Sequence, residues 1–376
     1  MKNMKNDEQH GSKILCRTTR LPVFGFGSAR LWSLLAAVLI VAALPTQAKV
    51  SGIGGKRSLD VMTVNLYVGG DINRVMMIDP EATNYVEQLV GAVTGVYYEI
   101  LASAPSVRLQ TIAGQIADKV PDIVAVEEAS LLRVQSPGDL IIGGTTPATD
   151  VAVDYLQVLV AELEARGVRY KVVSTADEID VELPMFNLQT GMIDDVRLSD
   201  REAILVRADL PPGQLQASNP QSGNFVNVIP IPALGLSVER GWCSADVFVR
   251  GRNIRCICAH LETEVVPELQ AAQVLELLAG PADTKMPVIV FGDFNADPLH
   301  RDGSIAYDLM PAAGFGDVWS ALNPNDPAGG LTWGHDEYLA DPDTVFDRRI
   351  DFVFYRGKGI VPAGIEVLDM ATGLAQ

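Results

Sequence analysis

Cysteine and histidine are scarce in this chain, with four of each in 376 residues. Cys16 falls in the amino-terminal leader described below, so Cys243, Cys256 and Cys258 remain, enough for at most one disulfide and one free thiol. That excludes a disulfide-stapled scaffold. Basic residues are also short: 29 Lys and Arg stand against 47 Asp and Glu, for a formal net charge of −18. A chain this acidic does not bind nucleic acid through a broad basic face. An anionic substrate must be met locally, by a metal ion or a few arginines. Internal repeats and low-complexity blocks are absent as well. What is present is apolar: 48% hydrophobic and 20% charged residues are globular values. The length suffices for one large domain or two ordinary ones with a sizeable core.

Residues 1–48 read as a signal peptide. Six basic residues (Lys2, Lys5, Lys13, Arg17, Arg20, Arg30) and two acidic ones precede or flank an apolar run, Leu31–Leu44. Thr46-Gln47-Ala48 follows, with small residues at the two positions a signal peptidase reads, which predicts cleavage after Ala48 and export. The run is 14 residues long, short for a membrane span of about 20; an uncleaved anchor is the alternative. Without this leader, which carries +4, the charge falls to −22.

Beyond it, short β-rich runs alternate with helical stretches. Strands are predicted at Leu59–Leu66, Ile123–Val126, Tyr170–Ser174, Ala203–Val206, Asp246–Arg250, Ile254–Ala259, Val288–Phe291, Ile350–Tyr355 and Gly364–Leu368. Helices are predicted over Glu81–Ala102, Val107–Lys119, Val151–Arg166, Pro267–Leu278 and Gly303–Ala313. Ser136–Thr149 and Pro211–Asn224 read as loops, neither long enough to divide residues 49–376 into two domains. Asp246–Ala259 reads as a β-hairpin. With Arg250 and Gly251 as its turn, Cys243 faces Cys258, so a disulfide, if one forms, joins these two. A turn at Gly251 and Arg252 pairs Cys243 with His260 instead. The mixture suits a two-sheet sandwich flanked by helices.

Several of these strands end in groups that bind metal or phosphate. Asn65 closes the first, Glu127 and Glu128 close Pro121–Glu128, and His260 closes Arg255–His260. Val288–Pro298 ends in Asp293, Asn295 and Asp297. Asp351 starts its strand, so an antiparallel arrangement returns it to the same rim. Hard oxygen ligands without thiolates favour Mg²⁺, Mn²⁺ or Ca²⁺ over Zn²⁺. Such an ion neutralises the charge that builds in a phosphoryl transition state. Alone, a carboxylate at a strand end is usually a solvated terminus and His260 a hydrogen-bonded core histidine. Their joint order carries the weight.

In that order the sequence resembles the endonuclease/exonuclease/phosphatase superfamily, also called the deoxyribonuclease-I-like fold, from Leu59 to Gln376. The resemblance implies a four-layer αββα sandwich of two mixed sheets flanked by helices, and hydrolysis of phosphoester bonds with Mg²⁺ or a similar ion. It implies Asn65, Glu128 and Asp293 as metal-site residues, with Glu127 in the place the family usually gives to Gln. It implies His260, Asp293, Asn295 and Asp351 as the catalytic set: His260 of Ala-His-Leu on the phosphate, Asp293 and Asn295 of Gly-Asp-Phe-Asn on metal, water and phosphate, and Asp351 of Arg-Ile-Asp orienting a final histidine.

Two departures stand out. The family closes with Ser-Asp-His beyond a strand like Gly364–Leu368, where this chain reads on to Ala375-Gln376. The expectation is therefore a carboxy-terminally incomplete domain with an open sheet edge, binding Mg²⁺ or Mn²⁺ but turning over poorly. The second departure is Ser199-Asp200-Arg201-Glu202, where the family often carries a Tyr or Asn; Arg201 is a candidate phosphate contact. His335, in the loop feeding Asp351, is another, and the stand-in for the missing histidine. Expected substrates are nucleic acid, phospholipid or small phosphate esters, acted on by a monomer without a stable protein partner, in the periplasm or outside the cell. Two alternatives remain: a phospholipid or sphingomyelin phosphodiesterase, and an inactive relative that binds phosphate.

Overall fold

The computed structural model describes residues 46–52, 58–231, 235–263, 266–335 and 345–368. The predicted leader up to residue 45, and Ala375 and Gln376, lie outside the described residues. The chain begins with β1 (Thr46–Gly52), β2 (Ser58–Asn65), α1 (Asn73–Met76), α2 (Tyr85–Ala102), α3 (Pro105–Lys119), β3 (Ile123–Glu127), β4 (Leu131–Gln135) and β5 (Asp150–Asp154). There follow α4 (Tyr155–Ala165), β6 (Tyr170–Phe186), β7 (Ile193–Arg207), β8 (Leu215–Asn224), β9 (Ile229–Ile231), β10 (Leu236–Val238), β11 (Gly241–Val249) and β12 (Arg252–His260). The last third holds α5 (Pro267–Ala279), β13 (Val288–Asp293), α6 (Ala306–Ala312), β14 (Gly316–Asp317), α7 (Val318–Leu322), β15 (Asp351–Arg356) and β16 (Ile360–Val367).

The strands form two large mixed sheets. The first runs β16-β1-β2-β3-β7-β4-β5 with β6 also paired to β7, and the second runs β14-β15-β13-β12-β11-β8. In each, one parallel pair (β2 with β3, β12 with β13) sits among antiparallel neighbours. Three large apolar cores carry most of the packing, beside a small one of Ile229, Ile231 and Val238. Val61, Ile123, Ala125 and Ile204 of the first sheet meet Cys256, Ile289, Phe291 and Val353 of the second. The other face of the first sheet, with Met62, Val64, Val124 and Leu205, packs on α2, α3 and α4. The outer face of the second, with Ile257, Val290, Phe352 and Phe354, packs on α5 and α6. Strands buried on both faces read as unbroken apolar runs, which is why β2, β3 and β13 stand out in the sequence.

Three expectations need correcting. Residues 151–154 are not helical: Val151, Val153 and Asp154 pair with β4, and the helix starts only where Asp154 accepts from the Gln157 amide as its cap. Pro211–Asn224 is not all loop, because Leu215–Asn224 pairs with β11 as the outer strand of its sheet; its polar composition is that of an exposed edge. β1 pairs with β2 on one side and with β16 on the other, which leaves β16 as the outer strand of the first sheet among the described residues. Cys243 does lie opposite Cys258 around an Arg250–Gly251 turn, yet all three described cysteines are free and buried.

Candidate active site at one edge of the two sheets

The residues that end β2, β3, β12 and β13, and the one that begins β15, meet at one edge between the sheets. Asn65 is the link. Its Nδ2 donates to Glu128 Oε1 at 2.8 Å and to Asp293 Oδ2 at 3.2 Å, joining first sheet to second. Its own Oδ1 accepts from the Tyr67 amide at 2.8 Å, which fixes the side chain. Glu128 Oε2 accepts from the Val68 amide at 2.7 Å, and Asp293 Oδ1 from the Asn295 amide at 2.9 Å. Tyr67, Glu128 and Asn295 all have positive φ, at 62°, 52° and 48°. Non-glycine residues in this region carry strain, and it clusters here where three chains leave their strands. The loop after Asn65 is braced by Arg108, which donates to the carbonyls of Leu66 and Tyr67, and by the Tyr155 hydroxyl, which donates to Val68 O. Gly292 precedes Asp293 for a steric reason: a Cβ there would lie 2.0 Å from the carbonyl oxygen of Ala259.

His260 sits one strand away. Its Nε2 is 3.3 Å from Asn295 Nδ2, while its Nδ1 lies 3.2 Å from both Glu202 and the Arg240 guanidinium. Burial, then Arg240, hold its pKa well below the ordinary histidine value, so the ring is neutral at pH 7. Arg240 also approaches Glu178 at 3.5 Å and Glu262 at 3.6 Å. Burial works against its charge, but Glu262, Glu178, Asp200 and Glu128 outweigh it and raise its pKa.

Acid is in excess around this one arginine. Glu127, Glu128, Glu178, Asp200, Glu202, Glu262, Asp293 and Asp351 are all buried. Burial, with Asp293 adding to it, pushes Glu127 up to about 8. Burial, with Asp200 adding to it, pushes Glu128 up to about 7. Glu178 rises to about 8 by burial although Arg240 opposes it. Burial and the carboxylates of Glu178 and Glu127 lift Glu202 well above its ordinary value. Asp351, opposite Asp293 in the sheet register, is lifted in the same way by burial and by Asp293. Both oxygens of Asp351, and one each of Glu127 and Glu262, have no hydrogen-bond partner among the described residues. Buried carboxylates in this state hold protons or bind a cation. Hard oxygens of Glu128 and Asp293, both within reach of one amide nitrogen, fit Mg²⁺, Mn²⁺ or Ca²⁺. Glu127, Glu202 and Cys258, and Glu178, Glu202 and His260, also bring ligand atoms within 4.8 Å of one another. The first of these includes a thiol that burial keeps protonated, and the second is already faced by Arg240.

Arg201 and His335 stand apart from this set. Strand alternation puts Arg201 on the opposite face of β7 from Glu202, where it donates to Asp154 at 2.6 Å and to the Ala129 carbonyl at 2.8 Å. His335 is half-buried with its ring edge-on to Phe346. Its loop reaches Asp351 through Thr332, whose hydroxyl accepts from the amides of Ile350 and Asp351. Arg240, Glu178 and Thr332 went unnoticed in the sequence, and Asp200 and Glu202 were named only as neighbours of Arg201. Asp200 and Glu202 flank Arg201, and alternation alone would have assigned them to the face opposite it.

The profile of the endonuclease/exonuclease/phosphatase family matches residues 62–373. The chain belongs to this family. Its members hydrolyse phosphoesters such as those of nucleic acids, generally with a divalent metal. Among curated proteins none matches this chain. Similar solved structures include an endonuclease/exonuclease/phosphatase family protein from Leptotrichia buccalis, 16% identical over 66% of this chain and 80% of that one, with a TM-score of 0.44. Another is the Bacteroides vulgatus endonuclease/exonuclease/phosphatase, 15% identical over 82% of this chain and 87% of its own, at 0.41. TDP2 from C. elegans is 16% identical over 68% of this chain and 60% of its own, at 0.39.

Proposed function

We propose that the protein is an exported, divalent-metal-dependent phosphoesterase whose cation is held by Glu128 and Asp293, with Asn65 aligning the two. The observation that carries this reading is the pair of hydrogen bonds from one Asn65 nitrogen to both carboxylates across the sheets. Glu128 and Asp293 would hold Mg²⁺, Mn²⁺ or Ca²⁺, and such an ion would polarise the phosphoryl group and offset its developing charge. Asn295 and His260 meet the phosphate oxygens, His260 as a neutral hydrogen-bonding ring. Glu202 and Arg240 hold that ring from its Nδ1 side. Asp351 keeps a proton or a cation close to Asp293. Export rests on the basic residues, apolar run and Thr46-Gln47-Ala48 of the leader. The test is hydrolysis of DNA, RNA, phospholipid and sugar phosphates by the purified protein, with Mg²⁺ or Mn²⁺ and with a chelator. Turnover that the chelator leaves intact, or no turnover of any of the four, overturns it.

A further inference from the structure

An apolar hollow of about 80 Å³ lies between α2 and the β6–β7 hairpin. Its walls follow from two sequence periods. Val93, Val96, Tyr97 and Ile100 recur at helical spacing and share one face of α2. Ile179, Val181 and Leu183 alternate along β6, and Val181 and Leu183 stand opposite Leu198 and Val196 of β7. Apart from the Tyr97 hydroxyl, every lining side chain is apolar. Protein interiors are close-packed, and a gap of this kind forfeits the dispersion contacts its walls would otherwise make. Apolar walls offer water no partners, so such a space stays dry and accepts apolar ligands.

The hollow borders the candidate active site. Ile72, Met76, Ile179 and Leu198 line it and also line a second, smaller hollow, whose remaining walls include Glu128, Asp200 and Arg240. Four shared side chains thus separate the apolar space from a hollow lined by a carboxylate of the candidate metal site. Ligand sites typically combine apolar walls with a few polar groups that fix orientation. The charge of −18 and the buried acids argue against a polyanion and suit a molecule with a single phosphate.

We propose that this hollow seats the alkyl arm of the substrate, so that the substrate class is an amphiphilic phosphoester with its phosphate at Glu128 and Asp293. The phosphate end rests on the hydrolytic reading above; the alkyl end is measurable without turnover. An apolar cavity of about 150 Å³ holds benzene, so the space found here takes only a few methylenes. Selectivity therefore rises with chain length and then levels off.

The experiment is calorimetric titration of the full chain, with Mg²⁺ present, by ethyl, butyl, hexyl and decyl phosphonate. Affinity should rise by up to about fourfold per buried methylene and then level. Val96→Phe fills the hollow from the helix and Val181→Phe from the sheet. Either should bring the plateau to shorter chains and leave ethyl phosphonate unaffected, and the two serve as alternates should one fail to fold. Leu183→Ala enlarges the space and should move the plateau to longer chains. Affinity independent of chain length, a chain-length effect that survives both fillings, or no binding of any phosphonate overturns the proposal. Length-dependent binding without hydrolysis of any phosphoester upholds the hollow and removes the hydrolytic reading instead.

Discussion

Asp351 stands directly opposite Asp293 across the β15–β13 pair, with neither of its carboxylate oxygens hydrogen-bonded among the described residues. Like charges facing each other on neighbouring strands repel, and burial adds the cost of desolvation. Asp293 is anchored by Asn65 and by the Asn295 amide, whereas Asp351 is lifted well above the ordinary carboxylate range by burial and by Asp293. A proton or a cation must lie between them.

Asp351→Asn should therefore stabilise the metal-free protein at neutral and alkaline pH and not in acid. Near the ordinary Asp value of 3.8 the wild-type residue is already neutral in the fold, so the amide gains nothing. As pH rises the unfolded chain loses that proton while the folded one keeps it, which favours unfolding of the wild type alone. A gain in stability at pH 8 that is absent in acid, read from urea melts, is the expected result, together with loss of hydrolysis. A gain that is the same at both ends of the range would place the repulsion elsewhere.

The same linkage applies to the three glutamates. Glu127 and Glu178 titrate at about 8 and Glu128 at about 7 in the fold, against 4.5 unfolded. Between these values the folded state holds more protons. Stability of the chelated protein should thus fall as pH rises from about 4.5 to about 8, by on the order of 1 kcal/mol per pH unit for each glutamate that keeps its proton in the fold. Mg²⁺ competes with those protons, so its affinity should climb over the same window and offset the loss. Thermal melts across that range, with and without Mg²⁺, provide the measurement. Melting that is insensitive to pH in chelator would mean the carboxylates are compensated in some other way.

Most of this site was legible, for a physical reason. Asn65, Glu128, His260 and Asp293 lie where buried strands end and Asp351 where one begins, and a polar residue at either end of an unbroken apolar run marks such a place. Arg240 was not. It lies just before β11 in a stretch whose short strands β9 and β10 have no strong period, and only folding brings it to Glu178, Glu262 and His260. Arg201 misled because a basic residue suggests phosphate, while the strand period turns it to the opposite face from Glu202. β8 escaped notice because an edge strand need not alternate apolar residues when its backbone pairs on one side only.

Arg240 is the cation to remove. Arg240→Met leaves Glu178 and Glu262 without their buried partner, and loss of one member of such a pair typically costs about 3–5 kcal/mol. Arg240→Lys keeps the charge without the fork and should cost less. His260 provides a second readout. Without the guanidinium beside Nδ1, its pKa should move up toward the ordinary value, as ring-proton NMR would register. An unchanged His260 titration in Arg240→Lys and Arg240→Met would separate the arginine from the ring.

Glu128 and Glu127 are adjacent but do different work. Glu128 shares the Asn65 amide with Asp293, while Glu127 accepts from the Thr63 hydroxyl at 2.8 Å and faces Cys258. Glu128→Gln keeps the shape and removes the charge, so Mg²⁺ affinity should fall by about 10–100-fold or more with folding intact. Glu127→Gln should cost less than that. Calorimetric Mg²⁺ titration of the two variants decides; the reverse order would move the metal to the Glu127–Glu202 side.

The leader makes the final prediction. Cleavage after Ala48 leaves a chain beginning at Lys49, yet Thr46, Gln47 and Ala48 belong to β1, where they pair with Val367, Glu366 and Ile365 on one side and with Thr63, Met62 and Val61 on the other. Thr46 is buried there. Removing three residues paired on both sides takes away several backbone hydrogen bonds, each worth about 0.5–1.5 kcal/mol net. It also uncovers the ends of β2 and β16. Amino-terminal sequencing of the exported protein should find Lys49. That product should melt several degrees below one beginning at Thr46, at about 2–4 °C per kcal/mol for a domain of roughly this size. A mature chain beginning upstream of Thr46 would instead mean that processing spares β1, and an intact chain kept in the membrane fraction would mean that Leu31–Leu44 acts as an anchor.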